Sequence, residues 1–347
     1  MWSDNCIYRE DMQYISDFSE INWSKLENKT ILVTGATGLI GSLTVNALLW
    51  HSIQNSVKIH VLALVRDLKK AKALYCQQLK CSDSLELLQG DVCGHISIQG
   101  PLDYIIHTAG PTSSKFFIEH PVDTVRAIVE GTDHMLMLGT EKNISGFLYL
   151  SSMEIYGTPQ TDEKILETSA SNLDLQSARS CYPEAKRAAE ALCMSYRKQF
   201  GLNAKVLRLT QTFGAGVAYN DNRVFAQFAR SAISGSSIVL KTKGETRRSY
   251  LYTADAVTAI LTALTRETEP IMNAANEDTY CSILEMAQMV ARENGIGVSL
   301  NLAEDACALG YAPVLHMNLD TGRLRSTGWT AGFNLKVMFA RMIACMQ

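Results

Sequence analysis

Few folds can accommodate the run Thr34-Gly35-Ala36-Thr37-Gly38-Leu39-Ile40-Gly41, in which glycines recur every third residue between an apolar strand and a helix. The preceding Lys29-Thr30-Ile31-Leu32-Val33 reads as a buried parallel strand. After it, Leu39, Ile40, Leu43, Ala47 and Leu48 recur at helical spacing. Glycines at such a junction allow a tight turn, close backbone approach to a pyrophosphate and close helix packing, while the helix N-terminus offers free N–H groups to the anion. The spacing is Gly-x-x-Gly-x-x-Gly, not the ordinary Gly-x-Gly-x-x-Gly fingerprint. A strand-to-helix turn with no ligand is the plainer alternative. The pattern predicts an α/β fold, a Rossmann-type doubly wound parallel sheet with a smaller C-terminal substrate-binding lobe. Gly35, Thr37, Gly38, Leu39, Ile40 and Gly41 are expected to line a dinucleotide.

The next strand, over 57–65, ends in Arg66-Asp67, where the cofactor ribose should lie roughly 20 to 25 residues past the glycines. An acid there suits the free hydroxyls of NAD, whereas an arginine suits the extra phosphate of NADP. This chain offers both. A further strand, over 85–92, carries Asp91 and Val92 to the adenine, with Asp91 either accepting from its amino group or serving as a turn residue. Tyr104-Ile105-Ile106-His107 then runs into Thr108, Ala109 and Gly110, small enough for a cofactor to pass; His107 reads as a packed strand-end histidine.

Phe147-Leu148-Tyr149-Leu150-Ser151-Ser152 delivers Ser152 and Glu154 to a strand's carboxyl end, where open α/β sheets bind ligands. Downstream, Tyr182-Pro183-Glu184-Ala185-Lys186 starts a helix whose buried stripe is expected to be Ala185, Ala188, Ala189, Leu192, Cys193 and Tyr196. Tyr182 and Lys186 then stand one turn apart. A free phenol, with a pKa of about 10, is a poor base, but a nearby ammonium and a cofactor's positive charge favour the phenolate. Tyr182 can take an alcohol proton as hydride leaves for the nicotinamide, with Lys186 on the ribose and Ser152 orienting the hydroxyl. The bland reading is an exposed helix start with a solvated lysine.

Taken in this order, the motifs resemble the extended short-chain dehydrogenase/reductases, the NAD-dependent epimerases and dehydratases of nucleotide sugars, over roughly residues 29–345. Within that family the chain is most similar to UDP-glucuronate decarboxylases, through Ser180-Cys181-Tyr182-Pro183-Glu184-Ala185-Lys186-Arg187, Asn220-Asp221-Asn222-Arg223-Val224, Thr246-Arg247-Arg248-Ser249-Tyr250 and Gly328-Trp329. The resemblance implies oxidation of a hexose at carbon 4 and a second reaction beside the ketone, with Glu154 near carbon 5. The dehydratases' acid before that glutamate is here Met153, which has no proton to donate, and simple 4-epimerases lack the glutamate. The decarboxylases' Phe-Gly-Pro-Arg becomes Phe213-Gly214-Ala215-Gly216, and two family asparagines become Gln211 and Ile128. A 4-epimerase, a 4,6-dehydratase and, in another class, a silent dinucleotide-binding scaffold therefore remain alternatives. Substrate contacts are expected from Gln211 and from Thr112, Ser113 and Ser114, which could equally cap a helix, with Arg223 and Arg248 on the diphosphate, Arg248 alternatively a solvated loop charge, and Arg247 a solvated neighbour. An enzyme that recycles its own hydride favours NAD; Arg66 keeps NADP open.

Composition sets the outer limits. The 347 residues fit a nucleotide-binding domain over 29–210 and 248–273 with a substrate lobe over 211–247 and 274–347, preceded by an extension over 1–28. Within the extension, Met12, Tyr14, Ile15, Phe18 and Ile21 suggest a short helix on the body or on a partner subunit. With 32 basic and 35 acidic residues, a net charge of −3 suggests no general affinity for nucleic acid. Nine cysteines without Cys-x-x-Cys spacing point to reduced thiols in the cytoplasm and to no metal site. No apolar run approaches the roughly 18 residues of a membrane span, and the acidic N-terminus is unlike a signal peptide. By resemblance, helices over 124–139 and 184–198 pair two copies into a homodimer, and a bacterial surface-polysaccharide pathway is a plausible setting.

Overall fold

The computed structural model describes residues 5–302 and 314–347; the first four residues of the extension and 303–313 of the C-terminal lobe lie outside the described residues. In chain order the strands are β1 (Lys29–Thr34), β2 (Ile59–Val65), β3 (Leu85–Gln89), β4 (Tyr104–His107), β5 (Gly146–Ser152), β6 (Ala204–Leu209), β7 (Gln211–Phe213), β8 (Ile238–Leu240), β9 (Arg247–Tyr252), β10 (Ile271–Ala274), β11 (Asn276–Ser282), β12 (Val298–Leu300) and β13 (His316–Met317).

Seven strands form the main sheet in the order β10-β6-β5-β4-β1-β2-β3, every pair parallel. Because helices cover both faces, the central strands are apolar along their length, as Ile31, Leu32, Val33, Ile105, Ile106, Phe147 and Leu148 are, all fully buried. The chain runs outward from β1 through β2 to β3 and then returns to the other side of β1 as β4. Strand order reverses there, so a crevice opens beyond the carboxyl ends of β1 and β4. One apolar core lies on the face bearing the helices Leu39–Gln54 and Thr253–Thr265. The other lies under Pro121–Glu141 and Cys181–Phe200 and includes Phe117, Ile128, Tyr149 and Tyr182.

The smaller lobe is built on a sheet of β11, β9 and β13, with β7 pairing β9, plus the separate pair β12–β8. The lobe boundary differs slightly from the sequence expectation. All of β9 belongs to the small sheet, so the chain rejoins the large domain at the wholly buried helix Thr253–Thr265. The expected strand over 85–92 stops at Gln89, since the Asp91 carboxylate accepts the Cys93 N–H at 2.9 Å and turns the chain.

The extension folds onto its own chain. Asn5 caps a helix, Cys6–Ser16, by accepting from the Ile7 and Tyr8 amides. Met12 and Ile15 are fully buried in the core shared with Leu39–Gln54 and Thr253–Thr265. Phe18 and Ile21 lie beyond the helix end. Its polar face is tied down as well: Tyr14 donates to Asp255 (2.8 Å), while Tyr252 (2.7 Å) and Arg341 (2.7 Å) both donate to Asp11. Among the described residues no helix is long and apolar enough to cross a membrane.

Candidate active site

The cradle begins where β1 ends. Gly35 has φ +64°, and a Cβ there would stand 2.7 Å from Thr108 Oγ1 and 2.9 Å from the Ala109 backbone. A Cβ on Gly41 would overlap the Gly35 carbonyl oxygen and come within 2.9 Å of Thr108 Oγ1. The ends of β1 and β4 are thus pressed together, and Thr108 Oγ1 donates to the Thr34 carbonyl at 2.7 Å. Gly38 occupies the N-cap of Leu39–Gln54 and supplies no side-chain cap, which leaves the first-turn amides uncapped by a side chain. Thr37, Leu39 and Ile40 are half-exposed around it. Residues that leave no room for a Cβ beside uncapped amides fit a dinucleotide pyrophosphate.

At the outer end of the cradle, Arg66 is exposed and stands 4.0 Å from Asp91. Asp67 caps the helix Leu68–Leu74 by accepting from the Lys70 amide at 2.9 Å. Val92 is buried, against Gly131. At the inner end, a Cβ on Gly110 would lie 3.9 Å from both Ile128 and Lys186 Nζ, which brings the cradle against the helix Cys181–Phe200.

Ser180 precedes the helix Cys181–Phe200, so Tyr182 and Lys186 sit in its first two turns, and both are buried. Lys186 Nζ donates to the Leu150 carbonyl at 2.7 Å and lies 4.6 Å above the Tyr149 ring and 5.9 Å from the Tyr182 ring. Burial lowers its ammonium to about 8. The Tyr182 phenol is pushed well above its ordinary value, by burial first and by the Glu154 charge second; a hydrogen bond with Ser152 and the Arg179 charge oppose the rise. Ser152 Oγ also accepts from the Glu154 amide at 3.2 Å. The solvated-lysine alternative therefore does not describe this helix start.

Arg179 was not singled out by sequence reading. Its guanidinium pairs with the Glu154 carboxylate, 4.9 Å from the Phe117 centroid and 5.9 Å from that of Tyr182, while Phe117 stacks on Tyr182 at 4.3 Å. Its signal was an arginine three residues before the tyrosine, meaningless until β5 brings Glu154 beside it. Beneath the site, Glu190 accepts from Ser151 (2.5 Å) and from Arg208 (2.7 Å), a buried pair that anchors the helix to β5 and β6. His107 is fully buried between Thr34 and Thr132, and burial lowers it to about 3, in keeping with a packing role.

The remaining sequence candidates are distributed around this centre. Ser113 caps the helix Ser114–Glu119 that carries Phe117, and Thr112 directly precedes it. Gln211 opens β7 in register with Tyr250, two residues from Arg248 on β9. Arg248 is half-buried, with an Nε atom that has no partner. Arg247, expected to be solvated, is instead half-buried and paired with Glu285 at 3.2 Å, because strand pairing turns it into the small sheet. Arg223 is held in a two-pronged pair with Asp221 and over the Phe225 ring. Met153 is buried with Thr210 Oγ1 3.4 Å from its sulfur, and Gly216 packs on Leu39.

Known proteins resemble this chain in sequence and in fold. UDP-glucuronic acid decarboxylase 6 of Arabidopsis thaliana is 29% identical over 282 residues, 80% of this chain and 78% of that protein. UDP-glucuronic acid decarboxylase 1 of Xenopus tropicalis is 28% identical over 284 residues, 82% of this chain but 64% of that protein, so the chain spans less than two thirds of its length. The UDP-N-acetylglucosamine 4-epimerase of Methanobrevibacter ruminantium shares the fold with a TM-score of 0.77 at 18% identity, over 92% of this chain and 98% of that one. So does the UDP-glucuronic acid 4-epimerase of Bacillus cereus, solved with NAD, with a TM-score of 0.71 at 19% identity over 91% and 96%. The model of the NAD dependent epimerase/dehydratase family matches residues 31–275, from the strand before the glycine turn to the last strand of the main sheet, and the chain belongs to that family, with NAD as its cofactor.

Proposed function

We propose that this chain is an enzyme that oxidises a nucleoside-diphosphate hexose at carbon 4 and then acts beside the new ketone, with UDP-glucuronate decarboxylation the favoured outcome. The observation that carries this reading is the convergence of Ser152, Tyr182 and Lys186 at the carboxyl end of β5, beside a turn that fits a dinucleotide. When bound, NAD supplies a hydride acceptor that can also return the hydride. Tyr182 takes the proton of the carbon-4 hydroxyl, and Ser152, whose hydroxyl favours the phenolate, orients the alcohol. Lys186, next to Gly110, holds the nicotinamide ribose.

A ketone beta to a carboxylate makes loss of carbon dioxide favourable, so the protein need only stabilise the resulting enolate and hold the acid in place. Arg179, beside the Tyr182 ring and paired with Glu154, is the guanidinium that could exchange that partner for the substrate carboxylate. Glu154, near carbon 5, serves as the orienting group or base. Met153 argues against 4,6-dehydration, since no acid stands there to protonate a departing hydroxyl. Thr112, Ser113, Ser114 and Gln211 are the candidates for the sugar, with Arg248 and, after release from Asp221, Arg223 for the diphosphate. A substrate in the cleft between the lobes fits a division after 210, with the chain returning to the nucleotide-binding domain at 253 since β9 pairs in the small sheet, and cysteines without Cys-x-x-Cys spacing fit a reducing, cytoplasmic setting. Two copies pair through Pro121–Glu141 and Cys181–Phe200, where Val122, Val125 and Met137 are exposed.

The test is to incubate the protein and NAD with UDP-glucuronate and with UDP-glucose and weigh the products. Release of carbon dioxide from UDP-glucuronate supports the decarboxylase. Loss of water selects a dehydratase, and an unchanged mass with altered stereochemistry selects a 4-epimerase. Binding without any conversion leaves a silent scaffold.

A further inference from the structure

The position that discriminates between the two nicotinamide dinucleotides is filled here by a cation. β2 runs parallel to β1 with Thr34 opposite Leu64, so Val65 lies level with Gly35 and Arg66 stands one residue further, at the rim of the glycine turn. An adenosine ribose bound to that turn falls at this rim. A carboxylate there accepts from both ribose hydroxyls and repels a 2′-phosphate; a guanidinium fork does the reverse.

The nearby acids do not take over the carboxylate's task. Asp67 is engaged as a helix cap, its carboxylate accepting the Lys70 amide at 2.9 Å. Asp91 accepts from the Cys93 amide at 2.9 Å through one oxygen and stands 4.0 Å from Arg66 through the other. Arg66 and Asp91 are both largely exposed, a weak, solvent-screened pairing that a phosphate dianion, which binds a guanidinium through two hydrogen bonds, readily displaces. Lys69 and Lys70 follow on the same segment, both exposed. That segment is fixed to the cradle, because Tyr75, fully buried at its end, donates to the Ala36 carbonyl at 2.5 Å. The backbone that carries Arg66 thus runs from a paired strand into a helix anchored to the turn, while its side chain stays exposed.

We infer that the site takes NADP⁺ alongside NAD⁺, with Arg66 the residue that holds the 2′-phosphate. This rests on the nicotinamide reading of the cradle. The protein, stripped of any retained dinucleotide, is titrated calorimetrically with NAD⁺, with NADP⁺ and with the fragments 2′-AMP and 5′-AMP. NADP⁺ should bind within about tenfold of NAD⁺, and Arg66→Asp should weaken NADP⁺ by about tenfold or more while retaining NAD⁺. Added salt should weaken NADP⁺ more steeply than NAD⁺, since an exposed charge pair is screened. NADP⁺ binding more than about tenfold weaker than NAD⁺, or an unchanged ratio in Arg66→Asp, overturns the inference. NAD⁺ binding with exclusion of NADP⁺ sinks only this inference. Failure of both dinucleotides to bind sinks the nicotinamide reading itself.

Discussion

Tyr182 illustrates how far one residue depends on what surrounds it. Burial and the Glu154 charge keep its phenol protonated, and only Ser152 and Arg179 act in the opposite direction. Lys186, the neighbour that spacing alone pairs with it, turns its ammonium to the Leu150 carbonyl instead. The phenol is thus poised to become a base only when further positive charge arrives in the crevice. The glycines act at the same scale by occupying no space. Gly41→Ala adds a methyl group that overlaps the Gly35 carbonyl in a helix that otherwise tolerates alanine, so the turn must shift. Dinucleotide affinity should fall by about tenfold or more in a titration, with the far-ultraviolet circular dichroism unchanged. Undiminished affinity would show that the cradle does not hold the pyrophosphate.

At the scale of elements, two buried polar contacts hold the frame. Glu190 neutralises Arg208 beneath β5, and removing it by Glu190→Ala leaves an uncompensated buried guanidinium, at a cost of about 3–5 kcal/mol in denaturant unfolding. A loss below about 1 kcal/mol would mean that Tyr156 and the Glu167 carbonyl suffice for Arg208. The N-terminal helix is joined to the body through Asp255, whose carboxyl burial raises to about 7 against the pull of Tyr14 and the Gly332 amide. A carboxyl raised in the folded state binds a proton there that the unfolded chain has released, so its contribution to stability falls as pH rises from about 4 to about 7. Asp255→Asn should flatten that part of the stability-versus-pH curve measured by denaturation; an unaltered slope would assign it to other groups.

For the whole molecule, the first five strands of the main sheet were readable as apolar runs, with periodicity switching to helical after Leu39 and after Tyr182, whereas β6 and β10, which complete the sheet, were not. Ser152, Glu154, Tyr182 and Lys186 were named from motif order, and β5 and one helix bring them together. What sequence could not supply were pairings between distant segments. Arg179 acquires meaning only beside Glu154, Asp11 and Asp255 only beneath Tyr252 and Tyr14, and Arg247 only once β9 turns it towards Glu285. The same limit applies between copies. Val122, Val125 and the half-buried Val129 share one face of Pro121–Glu141. Val125→Asp should convert a dimer to a monomer in sedimentation velocity, and a wild-type chain that sediments as a monomer would remove that interface.

The central claim is that Tyr182 drives oxidation of a hexose alcohol by the bound dinucleotide. Rapid mixing of the NAD-loaded protein with UDP-glucuronate, followed at the absorbance band of reduced nicotinamide, tests it within one turnover. The wild-type chain should show the band rise, and Tyr182→Phe should bind the sugar nucleotide equally well yet show it slowed by about 10²–10⁴-fold. A rise of equal rate in both proteins, or none in the wild type with UDP-glucuronate bound, would contradict the account.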